Sequence, residues 1–313
     1  THGKDISQGM SIFKPKIETD YTVLSLGAGV QSTCLALMAA KGEITPMPDF
    51  AIFADTHAEP EAVYKHLEWL KKQLPFPVYT VEKGHLTEDS LKVRHIVKES
   101  AKLPVGTPYV LQIIPLFARI TEWVDNKLFD KKYKEERIVA GLGRICTSKY
   151  KVEPVIKKIR ELCKIKRGQK YVSVSQWIGI SKDEIQRVKD ARYKFIEHRY
   201  PLIDMKMTRQ DCLNWMGRNF DGLTPPRSAC IYCPFHNNKE WIDMKKNHPA
   251  DFQFAVDFEK SLRDLNDKNN RKDIKVFLHR QCIPLDEIDF ESKKAKIQDE
   301  WDFQNECEGM CGV

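Results

Sequence analysis

Residues 21–26, Tyr-Thr-Val-Leu-Ser-Leu, form a short apolar run rich in β-prone side chains. Small residues, Gly27-Ala28-Gly29, follow it, and then the helix-prone stretch Cys34-Leu-Ala-Leu-Met-Ala-Ala. The pattern predicts a strand, a tight loop and a helix. A second buried strand is expected over Asp49–Asp55, around Phe50-Ala-Ile-Phe-Ala, and a helix from about Pro60 with Val63, Leu67, Leu70 and Leu74 on one face. Pro75 and Pro77 end that helix, and Val78-Tyr-Thr-Val reads as a third strand. Strands alternating with helices in this way predict an α/β fold built on a doubly wound parallel sheet.

The pattern is less regular afterwards. Residues 85–135 read as either a helical excursion or a partly mobile insertion. A short strand is expected at 138–141, a helix near Pro154 with Val155, Ile159 and Leu162 buried, and another buried strand over 171–180. Thr208-Arg-Gln-Asp has the form of a capped helix start. Beyond Pro225-Pro226 the chain becomes polar and aromatic, with cysteines near both ends of the region. The expected division is an N-terminal extension (1–20), an α/β nucleotide-binding domain (21–224) and a helical, Cys-bearing C-terminal region (225–313).

Three features carry chemistry. The small residues at 27–29 let a backbone approach an anion closely, and the following helix would aim its N–H groups and dipole at it. Ser32 and Thr33 add hydroxyls at the helix start. A plain glycine-rich turn remains the alternative, and the Gly-Lys-Ser/Thr ending of a Walker loop is missing. The second feature is Asp55-Thr56-His57-Ala58-Glu59-Pro60-Glu61 at the carboxyl end of the second strand, where open α/β sheets bind ligands. Asp55 there suits a ribose hydroxyl, a metal, or capping of the next helix by Asp55 or Thr56. The third is Cys230-Ile-Tyr-Cys233, whose spacing alone leaves zinc, a cluster and a redox role open.

Composition narrows the setting. The 313 residues are 42% hydrophobic and 30% charged, with net charge +7. No apolar run reaches membrane-spanning length, and the first residues do not have the pattern of a secretory signal, so the chain reads as cytoplasmic, with no membrane partner. The positive balance permits a polyanionic partner without requiring one. Nine cysteines at uneven spacing do not form a secreted disulfide framework. Cys34 and Cys163 read as core thiols, and Cys212 and Cys282 as structural. His236 reads as a surface or capping residue, with membership of a metal site as the alternative.

Taken in order, the motifs resemble the PAPS reductase-like family of the adenine nucleotide α-hydrolase superfamily, the PP-loop ATP pyrophosphatases. Gly27-Ala28-Gly29-Val30-Gln31-Ser32-Thr33 is similar to the PP-loop, with Gln31 where Asp is usual and Gly27 where Ser is usual. Asp55-Thr-His-Ala-Glu-Pro-Glu looks like the second motif. Arg144-Ile-Cys146-Thr-Ser-Lys149-Tyr-Lys151 is similar to a Cys-bearing segment that precedes a helix. Gly179-Ile180-Ser-Lys-Asp183-Glu184-Ile-Gln-Arg187 is similar to a strand–loop motif, with Ile180 where Arg is usual. Tyr200-Pro-Leu-Ile-Asp204 and Ser228-Ala-Cys230-Ile-Tyr-Cys233 continue the order.

The resemblance implies a loop that holds pyrophosphate, with ATP split between its α- and β-phosphates and Mg²⁺ as the counter-ion. Such chemistry adenylates an acceptor oxygen for replacement by sulfur, with a nucleic acid as acceptor, as in DNA phosphorothioation or tRNA thiolation. The implied nucleotide-binding residues are Ser25, Gly27, Ala28, Gly29, Gln31, Ser32, Thr33, Asp55, Thr56, His57 and Gly179. Arg187 and Lys149, with Arg144 and Lys151, are expected to meet phosphate or a nucleic-acid backbone. Cys146, Cys230 and Cys233 are the expected metal ligands of a [4Fe-4S] cluster with one open iron; alternatively Cys230, Cys233, Cys307 and Cys311 form a zinc site, or Cys307 or Cys311 supplies the cluster's fourth ligand. Glu306-Cys307 also resembles the tail that supplies a nucleophilic Cys in PAPS reductases. That alternative makes the chain a PAPS or adenylyl-sulfate reductase served by thioredoxin, where the first reading needs a sulfur donor such as a cysteine desulfurase. A nucleotide- or metal-sensing module without turnover is the non-enzymatic alternative.

Overall fold

A computed structural model of the chain describes residues 18–98, 104–126, 131–143, 145–269 and 273–291. Its centre is a sheet of five parallel strands: β1 (Tyr21–Leu26), β2 (Phe50–Asp55), β3 (Val78–Glu82) and, much later in the chain, two more. Helix α1 (Val30–Ala40) links β1 to β2, and α2 (Glu61–Gln73) links β2 to β3. A short α3 (Leu86–Leu91) follows. Then come a two-stranded ribbon, β4 (Val93–His95) with β5 (Pro108–Val110), and a long antiparallel hairpin, β6 (Leu116–Asn126) with β7 (Lys131–Leu142). A π-helical turn, Thr147–Val152, runs into α4 (Glu153–Leu162). The sheet is completed by β8 (Val174–Ile178) and β9 (Ile196–Arg199). The rest is helical, α5 (Pro201–Asp204), α6 (Arg209–Asn219), α7 (Asn238–Asn247) and α8 (Pro249–Lys268), except for β10 (Ile274–Phe277).

Strand order in the central sheet is β3-β2-β1-β8-β9. The chain winds outward from β1 in one direction and returns to its other side through β8. The alternation of β1 side chains shows both faces covered. Leu24 and Leu26 pack with α1, α2 and α6, whereas Val23 packs with Val155, Ile156 and Ile159 of α4. This is the doubly wound α/β arrangement the pattern predicted. The order reverses between β1 and β8, the kind of switch point beside which open α/β sheets take ligands. In α1 every residue from Val30 to Ala39 is buried, because the helix is enclosed by the sheet, α2 and α6. Hence it reads as apolar all round rather than amphipathic.

The expected helical character of 85–135 is corrected. Its described part holds one six-residue helix and then strands. Leu116, Ala118 and Ile120 alternate at period two, and all three are buried. Their strand is held on one side by β7 and on the other by β10, with Ile120 opposite Ile274 and Ala118 opposite Val276. That second partner lies far along the chain, which is why local pattern did not reveal the sheet. The strand expected at 138–141 is the end of the longer β7, and the one expected over 171–180 is confined to Val174–Ile178. Residues from both this excursion and the C-terminal region, including Ile113, Ile114, Tyr232, Trp241, Phe252 and Phe258, share one apolar core. Among the described residues no helix is long and apolar enough to cross a membrane.

Candidate functional site

The loop after β1 is shaped by Ala28, whose φ of 58° lies in the left-handed region that side chains other than glycine rarely adopt. Gly29 then precedes α1, whose first intrahelical bond runs from Thr33 N–H to the Gly29 carbonyl, 3.0 Å. The N–H groups of the turn before it have no acceptor within the helix, and the positive end of the dipole coincides with them. Ser32 Oγ accepts from the Gly27 N–H at 3.2 Å and so braces the loop from inside. Gly29 is half-buried; the other residues of the loop are buried. Two neighbours crowd it. A Cβ on Gly179 would lie 2.8 Å from both Cα and N of Ser32, and a Cβ on Gly29 would lie 3.6 Å from Ser228 Cβ. Gly179 is therefore demanded by the contact between the end of β8 and the start of α1.

Several expected contacts are redirected. Thr33 is fully buried and its hydroxyl meets His66 Nε2 of α2 at 3.0 Å, so it faces the core rather than the loop. Burial holds the His66 imidazole down at about 4, so it stays neutral. Gln31 sends its amide away as well: Nε2 donates to Glu184 Oε2 at 3.1 Å and to Ser181 Oγ at 3.4 Å. Ser25 accepts from Gln176 Nε2 of β8 at 2.6 Å beneath the loop. Arg187 is bound to Glu184, and Lys149 pairs with the exposed Glu153 one turn along. Lys149 and then Lys83 hold the Glu153 carboxyl below the usual carboxylate range. Arg144, Cys307 and Cys311 lie outside the described residues.

Beyond β2 the chain bends through His57, with φ of 56°. Asp55 does not cap α2, which starts after Pro60; Oδ1 instead accepts from the His57 N–H at 2.7 Å and from the Tyr64 hydroxyl at 2.8 Å. Burial and that bond raise the Tyr64 phenol, which remains a donor. The His57 ring bridges toward Glu82 of β3 and stacks on His85 with centroids 4.1 Å apart. Thr56 is fully buried and its hydroxyl lies 3.6 Å from Cys230 Sγ, so it faces the cysteines and not the loop.

The three expected metal ligands are brought together. Cys146, Cys230 and Cys233 line one cavity of about 30 Å³, with Thr56, Lys151 and Tyr232. All seven described cysteines are thiols, not disulfides. Burial, then the nearby Glu59 carboxylate, raises the Cys230 thiol, against the pull of Lys151. Three thiols are the donor set that an iron–sulfur cluster or zinc takes. As arranged they are not a ready-made cage: among the described residues no three Cys, His, Asp or Glu side chains stand at metal-ligand geometry. Cys34, Cys163, Cys212 and Cys282 are buried thiols, as expected. His236 is not on the surface; it is buried, and its Nε2–H donates to the Cys230 carbonyl at 3.0 Å.

A polar chain connects the cysteine cavity to the loop; of its members the sequence singled out only Lys151, which was expected to meet phosphate and is instead paired with Glu59. Lys151 Nζ, on the cavity wall, lies 3.3 Å from Glu59 Oε1; both side chains are buried, 9% and 1% exposed. Ser228 donates to Glu59 Oε2 at 3.4 Å and abuts Gly29. Glu59 lies within Asp55–Glu61 and Ser228 opens Ser228–Cys233, but nothing in a lone sequence marks a carboxylate as buried. No protein-family model matches this chain, and no curated protein matches it.

Proposed function

We propose that this chain is a PP-loop ATP pyrophosphatase that adenylates an acceptor oxygen for replacement by sulfur, with a nucleic acid as acceptor. The observation that carries this reading is convergence. Segments 27–32, 55–59, 146–151, 179–187 and 228–233 meet at the carboxyl edge of a doubly wound sheet, beside its switch point. That is where such sheets take nucleotides.

The roles follow from placement. Backbone amides of the 27–29 loop and the first turn of α1 hold the pyrophosphate, and Ser32 keeps that loop in shape. Mg²⁺ would neutralise the leaving pyrophosphate. Asp55, fixed by Tyr64 and the His57 N–H, is placed for the ribose or the metal. Glu59 and Lys151 span the gap between the loop and the thiols, so nucleotide binding and thiol chemistry share one wall. The thiols of Cys146, Cys230 and Cys233 would have to draw together to take a cluster or zinc, so no step is routed through one.

The test is to purify the full chain anaerobically and follow two products, pyrophosphate from ATP and sulfite from PAPS. Pyrophosphate release that is lost in Ser32→Ala and increased by an acceptor nucleic acid is the expected result. Sulfite release dependent on Cys307 would overturn it in favour of a reductase, and ATP binding with neither product would make the chain a sensor. Metal analysis of the same sample decides between iron with labile sulfide and zinc.

A further inference from the structure

The nucleotide loop is touched by the 179–187 segment at two points. Gly179 lies against the backbone of Ser32, closer than any side chain would allow. Two residues on, Ser181 and then Glu184 receive the amide of Gln31, the second residue of α1. Gln31 is 5% exposed, so this amide is committed to a buried contact. The Glu184 carboxylate reaches both Gln31 and Arg187. Oε2 accepts from Gln31, while Oε1 is held by Arg187, and both side chains of that pair are 14% exposed. A carboxylate thus stands beside an anion-binding loop with its charge offset by Arg187 and its position fixed by Gln31.

We infer that Glu184 is a positioning residue, latching the first turn of α1 to the 179–187 segment through Gln31, so that affinity of the loop for phosphate depends on this neutral-to-acid pair. The inference rests on the reading of the loop as a pyrophosphate site. It also accounts for a neutral residue at position 31. A carboxylate there would face that of Glu184 at about 3 Å, and like charges so close cannot both ionise at ordinary cost. Glutamine fits the latch because it donates where an acid would repel.

The experiment is a charge-exchange cycle on the full chain: wild type, Gln31→Glu, Glu184→Gln and the double variant. Binding of ATP and of inorganic pyrophosphate is measured by calorimetry, with a thermal melt of each protein. The expected result is affinity weakened about tenfold in Q31E, as neighbouring residues couple. The double variant, in which donor and acceptor are exchanged, returns to within about threefold of wild type. Loss of packing alone would not be rescued by a second substitution of this kind. If Q31E does not fold, Gln31→Met carries the test: about threefold weaker binding in a protein that still melts cooperatively is expected, and undiminished binding overturns the latch. Unchanged affinity in Q31E, or a double variant no better than Q31E, likewise overturns it. A wild-type chain that binds neither ATP nor pyrophosphate overturns the nucleotide reading itself, and is distinguished by that first measurement.

Discussion

Two glycines make opposite demands on the same loop, and their substitution separates folding from binding. Gly179→Ala sets a Cβ 2.8 Å from two backbone atoms of Ser32, and backbone cannot swing aside. The expected cost is about 1–3 kcal/mol, as for other overpacked sites, read as a lowered urea midpoint together with lost pyrophosphate binding. Gly29→Ala meets only an ordinary contact at 3.6 Å from Ser228 Cβ, at a φ of −92° that any residue adopts. Its stability should lie within about 0.5 kcal/mol of wild type. With the loop holding pyrophosphate as proposed, the added methyl narrows the approach between Gly29 and Ser228, so pyrophosphate binding should fall. A G29A protein that binds as well as wild type would place the anion elsewhere. The buried Lys151–Glu59 pair gives a second residue-scale prediction. Lys151→Met leaves the Glu59 carboxylate buried without its cation, which costs about 3–5 kcal/mol; Glu59→Gln with Lys151→Met should recover much of that in the same denaturation assay.

Among the elements, α1 presents the loop, and its orientation is set by what packs on it. One such neighbour is α6, which begins with a reciprocal capping box: Thr208 Oγ1 accepts from the Asp211 N–H and the Asp211 carboxylate accepts from the Thr208 N–H. Thr208→Ala should cost about 1 kcal/mol. Because α6 lies against α1, ligand binding at the loop should weaken along with it, measured as a smaller ligand-induced rise in melting temperature than in wild type. This cap was legible in the sequence, since Thr-x-x-Asp is a local pattern and its hydrogen bonds close within three residues. The hairpin of β6 and β7 was not. Its period-two alternation was present, but its buried face is defined by β10, whose contribution no local window contains.

For the molecule as a whole, buried neutral histidines make stability depend on pH. Burial depresses His66 and His279 to about 4, and both are less than a tenth exposed. Their unfolded forms take up protons near the ordinary histidine value, whereas the folded forms resist until well below it. The unfolded state therefore binds more protons between about pH 6.5 and 4, and stability falls as pH falls through that window. Each contributes a loss of about 2 kcal/mol between about pH 7 and pH 5. That is a large share of the marginal stability of a folded chain. Urea denaturation at the two pH values tests this, and His66→Gln, keeping a partner for Thr33, should flatten the dependence.

What the sequence determined alone was set by short-range periodicity and local sterics. Four of the five parallel strands, the helices α1 and α2 between them, the small-residue loop after β1 and the capped start of α6 could be read from windows of a few residues, because strand and helix burial repeat at fixed spacing, whereas the four-residue edge strand β9 was not expected. Three of the cysteines could be nominated as a group from spacing and resemblance. Only the tertiary structure decided which way the polar side chains turn. Thr33 and Gln31 stand in the loop by sequence, yet the first is drawn to His66 and the second to Glu184, partners 33 and 153 residues away. Glu59, Lys151 and Ser228 became a connected path only when β2, the π-helical turn and the Cys-bearing segment were brought to one edge. Side-chain direction in a crowded crevice is settled by which buried donor finds which acceptor, and that pairing depends on distances across the fold that no stretch of sequence encodes locally.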